Sequence, residues 1–228
     1  MESPVADLPV ERLGRKRPQQ FKSLGTELVF CFSIMTSQIM AEYFISGFNV
    51  ILPTLSRELN IPEASAIWPA SVFALTAGSS LLIFGRLADM YGGYNVYTAG
   101  LAWHMTWALV AGFSQNELMM NFSRAFQGFG PAAFLCAGLM LLGSSYRPGQ
   151  RKNMVFSIYG ACAPVGFYLG IFFSGLAGQY LSWRWYFWIG AILTSLPLGT
   201  ALFYVPNCWS NGSRGLAFSE TAYQLFVD

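Results

Sequence analysis

The segment FGRLADMYGGY, residues 84–94, lies between two long apolar runs and gathers Arg86, Asp89 and three glycines, Gly85, Gly92 and Gly93, into one short link. The runs on either side decide how it is read. Of the 228 residues, 54% are hydrophobic, 17% aromatic and only 11% charged, against about 25% charged in soluble proteins. A water-soluble domain of this size would run short of polar surface. The seven Trp and twenty Phe recur near the ends of the apolar runs, as interfacial aromatic belts do. The composition is that of a membrane protein.

Crossing the hydrocarbon takes about 20 mostly apolar residues as a helix. Six such runs are present, near 28–53, 66–85, 94–113, 118–142, 153–178 and 185–205. Unpaired backbone groups cannot face lipid, so the runs are expected to be helices. Their short links make consecutive helices antiparallel neighbours. The expected fold is all-α: a polytopic six-transmembrane-helix bundle over 28–206, with a basic tail at 1–27 and a short tail at 207–228. The first run is longer than the core of a cleaved leader and would act as an uncleaved membrane signal.

Orientation follows from Lys and Arg. With the N-terminus in the cytosol, Arg12, Arg15, Lys16, Arg17, Lys22, Arg86, Arg147, Arg151, Lys152 and Arg214 fall inside, and Arg57 and Arg184 outside. Both termini are then cytosolic. The net charge of +2 gives no sign of a nucleic-acid partner, and the basic tail reads as a topology signal with some attraction to anionic lipid. Cys31, Cys136, Cys162 and Cys208 show no metal-ligand spacing and read as small apolar packing residues. Asn211-Gly212-Ser213 matches the glycosylation pattern but falls on the cytosolic side. No catalytic triad, metal site, phosphate loop or cofactor box is found, so neither an enzyme nor a cofactor is expected.

In this topology residues 84–94 form a cytosolic turn. Arg86 suits the positive-inside bias and the negative end of a helix, and Gly92-Gly93 permits a tight reversal. Asp89 requires a helix N-terminus or a basic partner such as Arg147 or Arg151. Within the spans, Gln38, Glu42, Ser46, Asn49 and Pro53 draw a polar stripe down the first helix. An intramembrane carboxylate is expensive, which makes Glu42 a functional candidate, the alternative being a structural Glu bonded to a neighbouring helix. Arg124 lies on the fourth helix at a depth from which it could reach Glu42, and it shares a face with Asn121 and Gln127. It either lines a cavity or pins helix backbones. On the fifth helix, Gly166, Gly170, Ser174 and Gly178 recur every four residues, a face suited to close helix contact, and Pro164 can bend that helix. His104, with no carboxylate at useful spacing, reads as a satisfied packing residue.

Three of these stretches resemble signatures of the major facilitator superfamily. Gly85-Arg86-Leu87-Ala88-Asp89-Met90-Tyr91-Gly92 is similar to its GxLaDrxGrk motif between helices two and three, with Met90, Gly93 and Tyr94 in place of basic residues. Arg124-Ala125-Phe126-Gln127-Gly128-Phe129-Gly130 resembles its helix-four RxxqGxg pattern. Gly160-Ala161-Cys162-Ala163-Pro164-Val165-Gly166-Phe167-Tyr168-Leu169-Gly170 resembles its antiporter motif, with Ala163 where Gly usually precedes Pro. The stretch through Trp188 is most similar to the fungal fourteen-span drug:proton antiporters of the aminotriazole-resistance type.

The resemblance implies several roles. Gly85, Arg86, Asp89 and Gly92 would form a conformational latch; Glu42, Arg124, Gln38, Asn49 and Gln127 would line a proton-coupling cavity; and Gly160, Pro164, Gly166 and Gly170 would form a sliding surface that resists proton leak. It also implies a multi-pass transporter in the plasma or vacuolar membrane, in contact with the lipid bilayer, protons and a small-molecule substrate. Such transporters have two six-helix halves, and the likeness covers one. The leading expectation is a truncated N-terminal half of a proton-coupled exporter of small organic or toxic compounds, completed by a missing C-terminal half or a homodimer. The alternative is a non-transporting remnant or a half-transporter that acts only by association.

Overall fold

The computed structural model describes residues 23–204, and among these it is all helix and connecting turns. The six helices are α1 (Leu24–Glu58), α2 (Trp68–Tyr91), α3 (Gly93–Gly112), α4 (Glu117–Ser145), α5 (Gln150–Tyr180) and α6 (Trp183–Tyr204). Each expected span is present and most are longer than the apolar run that signalled them. The helices continue beyond the apolar runs through Glu27, Arg57, Arg86 and Arg151 toward their ends, where charged side chains can reach the interface. Five helices are long and apolar enough to cross a membrane by length and composition. The other, α3, is diluted by His104, Asn95, two threonines and several glycines.

Local sequence sets the ends. Ser23 accepts a hydrogen bond from the Thr26 amide at 3.2 Å and caps α1, and Asn116 does the same for α4 through the Met119 amide at 2.9 Å. Gly92, at φ 89° and ψ 133°, is the entire link between α2 and α3. A side chain is strained in that conformation, so glycine is required there. The expected turn over 84–94 is therefore corrected: Gly85, Arg86 and Asp89 belong to the last turns of α2, and Gly92 alone makes the reversal.

The principal contacts are α1 with α5 and α6, α4 with α2 and α3, and α3 with α6. Exchanging α1 with α4, α2 with α5 and α3 with α6 reproduces the same set, the signature of two three-helix repeats. Two apolar clusters fill the interior. One, around Phe30, Ile34, Tyr97, Leu101 and Phe134, lies toward the start of α1. The other, around Phe44, Phe48, Phe73, Tyr186 and Phe187, lies toward its end. α2 and α5 remain largely uncovered, with Leu82 at 88% exposure and Tyr168 at 72%. Such apolar faces are suited to lipid or to another protein.

Candidate functional site

α1 and α5 meet at near-backbone distance. A Cβ added to Gly166 would lie 2.5 Å from the Ile39 carbonyl oxygen, and one added to Gly170 would lie 2.6 Å from that of Tyr43. Any side chain there pushes the helices apart. The polar groups at this contact are satisfied across it: Ser46 Oγ donates to the Phe167 carbonyl at 2.9 Å, and Ser174 Oγ to that of Gly47 at 2.6 Å. The small-residue ladder ends at Ser174, because Gly178 and Gly160 have open space around them. Gly160 and Pro164 are exposed on the other side of α5, so the expected antiporter surface divides into a packed half and an open half.

Toward the start of α1 a groove of about 930 Å³ lies along the two helices, walled by Leu28, Phe32, Met35, Met154 and Ile158. A separate polar group, outside that lining, bridges the two helices further along. Tyr159 Oη donates to Gln38 Oε1 at 2.7 Å, and Gln38 Nε2 faces Glu42 Oε1 at a long 3.5 Å. All three side chains are half-buried. The stripe expected on α1 is thereby split. Gln38 and Glu42 join Tyr159, and Ser46 is buried against α5. Asn49 is exposed and donates to Ile45 of its own helix at 3.1 Å.

Arg124 does not meet Glu42. The expected pairing is corrected: Arg124 is 1% exposed, with Nε donating to the Pro69 carbonyl at 3.3 Å, one terminal nitrogen to Gln127 Oε1 at 2.9 Å and the other to the Phe44 carbonyl at 3.2 Å. Its guanidinium is sandwiched between the Phe48 and Phe73 rings, each centroid 4.1 Å away. A buried cation needs hydrogen-bond partners and gains from aromatic faces. Three helices and two rings supply them, and three of its five N–H donors are engaged. α1 has few contacts with α4 compared with α5 and α6, which is why depth alone misplaced the pair. His104 donates to the Gln127 carbonyl through Nδ1 at 3.2 Å among Phe44, Phe73 and Phe134. Among the described residues its Nε2 and Gln127 Nε2 have no partner, so His104 is a packing residue satisfied at one nitrogen.

Where α1 begins, Arg151 pairs with Glu27, Nη2 to Oε2 at 2.7 Å and Nε to Oε1 at 3.0 Å, and Tyr146 Oη donates to Glu27 Oε1 at 2.9 Å. Cys31 Sγ touches the same phenol at 3.2 Å. Burial pushes the Tyr146 phenol well above its ordinary range, so it remains a donor. Arg151, one partner expected for the exposed Asp89, is thus committed to Glu27.

Sequence reasoning missed Tyr159 and Glu27. Tyr159 lies seven residues before Gly166, on the same face of α5, and Glu27 and Arg151 occupy the first turns of two helices that start at one end. Cys31, Cys136 and Cys162 are free thiols. Cys208, the Asn211 triplet, Arg214 and the tail basic residues lie outside the described residues.

A family model described as the Major Facilitator Superfamily matches residues 34–214. The low affinity ammonium transporter of Saccharomyces cerevisiae is 38% identical over 189 residues, covering 82% of this chain and 37% of that protein. Efflux pump terJ of Aspergillus terreus is 39% identical over 201 residues, covering 86% and 38%. The aminotriazole resistance protein of S. cerevisiae is 33% identical over 198 residues, covering 84% and 36%. The chain therefore spans less than two fifths of the length of these relatives. Among solved structures, a mutant of the peptide transporter POT in complex with alafosfalin superposes with a TM-score of 0.76 at 18% identity, covering 95% of this chain and 47% of that one.

Proposed function

This chain belongs to the major facilitator superfamily, and on that premise we propose that it supplies one six-helix half of a proton-coupled exporter of small organic or toxic compounds. As a member of that family it is a multi-pass integral membrane transporter, not an enzyme. Export is favoured by relatives named as an efflux pump and a resistance protein, and a small nitrogenous cation by the one named as an ammonium transporter.

The observation that carries the reading is Glu42. It is a half-buried carboxyl in the middle of α1, on the side that faces α5. No basic side chain is bonded to it among the described residues. A carboxyl in that position can take a proton and release it as its surroundings change. Arg124 and Gln127 act differently in this reading, as the fixed joint that holds α4 to α1 and α2. Gly85, Arg86, Asp89 and Gly92 serve as the latch at the α2–α3 reversal, and the contact of Gly166 and Gly170 with α1 seals the pair against proton leak. Both termini are placed in the cytosol, in a plasma or vacuolar membrane. The uncovered apolar faces of α2 and α5 are suited to a second six-helix unit, whether a C-terminal half or another copy.

The test is efflux driven by a pH gradient. Glu42→Gln in the assembled transporter is expected to abolish proton-driven flux while leaving membrane insertion intact. Unchanged proton dependence would overturn the assignment.

A further inference from the structure

The hydrogen-bond polarity around Gln38 gives Tyr159 a role of its own, resting on the reading of Glu42 as the proton carrier. The Tyr159 hydroxyl is committed to Gln38 Oε1 at 2.7 Å. With its oxygen held there, the Gln38 amide presents its NH₂ group to Glu42 Oε1 at 3.5 Å. An NH₂ group can only donate, and a carboxylate only accepts. A protonated carboxyl has an O–H that must find an acceptor, and the nearest amide oxygen is turned away from it toward Tyr159.

We infer that Tyr159 is a positioning residue for the proton site: by fixing the Gln38 amide it holds Glu42 in the form that accepts, and protonation of Glu42 is coupled to reversal of the Tyr159–Gln38 hydrogen bond. The step balances simply. Glu42 takes one proton from a solvent hydronium, leaving water, and its new O–H donates to Gln38 Oε1. The amide turns over to permit this, so that its NH₂ group faces Tyr159 Oη, which changes from donor to acceptor. Because Gln38 and Glu42 belong to α1 and Tyr159 to α5, protonation reverses a hydrogen bond that crosses between the two helices. The ties at Ser46 and Ser174 lie further along the pair and are untouched.

Other ionisable groups near this network do not replace it. On α5, Cys162 is within electrostatic reach of Tyr159, as are Tyr97 of α3 and Cys136 of α4, whereas Tyr168 and Tyr180 are exposed and Arg151 and Lys152 are committed to Glu27 and to the Gly143 carbonyl. On α6, the Tyr186 hydroxyl donates to the Tyr43 carbonyl, and Arg184 lies over the Trp183 ring at the opposite end. On α4, Arg124 is filled by carbonyls and Gln127, and Glu117 sits in the first turn. α2 carries Arg86, Asp89 and Tyr91 in its last turns.

The test is an infrared titration of the purified chain in lipid nanodiscs, reading the carboxyl band that disappears in Glu42→Gln. Tyr159→Phe frees Gln38 Oε1 to accept from the protonated acid, so the midpoint is expected to rise by about half to one pH unit, the size of one hydrogen bond. Tyr159→Leu, a second route to the same loss, should give a similar rise. In a Gln38→Met background Tyr159→Phe should add no further shift, because Tyr159 acts only through Gln38. An unchanged midpoint in Tyr159→Phe, or a shift that persists in the Gln38→Met background, overturns the inference. If no band titrates in the unmodified chain, it is the reading of Glu42 as proton carrier that fails.

Discussion

Tyr43 and Tyr186 exchange hydrogen bonds: each hydroxyl donates to the other residue's backbone carbonyl, at 3.0 Å from Tyr43 and 2.7 Å from Tyr186, with the rings stacked 4.9 Å apart and 9° from parallel. Both are fully buried. This reciprocal pair fixes α1 against α6 beside the α1–α5 contact, so α1 is held on two sides at one level. Tyr186→Phe keeps the stacking and removes one donor, with an expected loss of about 1 kcal/mol. Tyr186→Ala also leaves a cavity and is expected to cost about 3–5 kcal/mol. Thermal unfolding in detergent separates the two. Equal losses would show that the ring contributes nothing beyond its hydroxyl.

The α1–α5 contact supplies a sharper comparison between two glycines of one helix face. Gly170→Ala places a methyl against the Tyr43 carbonyl and the Gly47 backbone, neither of which can rotate away. The helices must part, and Ser46 and Ser174 then lose their acceptors on the facing helix. Gly178→Ala meets open space and gains helix propensity of up to about 1 kcal/mol. Expression yield and unfolding temperature should fall for the first and hold or rise for the second. A matching fall at Gly178 would mean that the ladder extends a further turn.

Much of this architecture was legible in the sequence because it depends on periodicity. Six apolar runs give six helices, and the four-residue spacing of Gly166, Gly170 and Ser174 gives the contact with α1. The partner of a polar side chain is set by tertiary packing and was not legible in the same way. Depth along two helices suggested that Glu42 and Arg124 meet, but depth does not say which faces turn toward each other. Phe44, Phe48 and Phe73 enclose Arg124 on one side of α1, while Glu42 faces α5. Tyr159 was overlooked for a related reason: a tyrosine among so many aromatics declares a role only when its hydroxyl partner is known.

The separation of Glu42 from Arg124 leads to a prediction about coupling. Arg124 makes three hydrogen bonds in three directions and stacks on two rings, a geometry that needs the planar fork of a guanidinium. Arg124→Lys keeps the charge but cannot serve all three acceptors or both rings. It is expected to destabilise the bundle by about 2–4 kcal/mol, with a loss of transport that follows the loss of folded protein. Glu42→Gln should leave stability within about 0.5 kcal/mol, because its one side-chain contact is long. The double variant should then show the sum of the two effects, since sites with no shared partner are additive to within about 0.5 kcal/mol. Unfolding temperatures of the four proteins check this directly. A coupling energy above about 1 kcal/mol would place the carboxyl and the guanidinium in direct contact, and Arg124 would then return to the proton site from which its three acceptors now remove it.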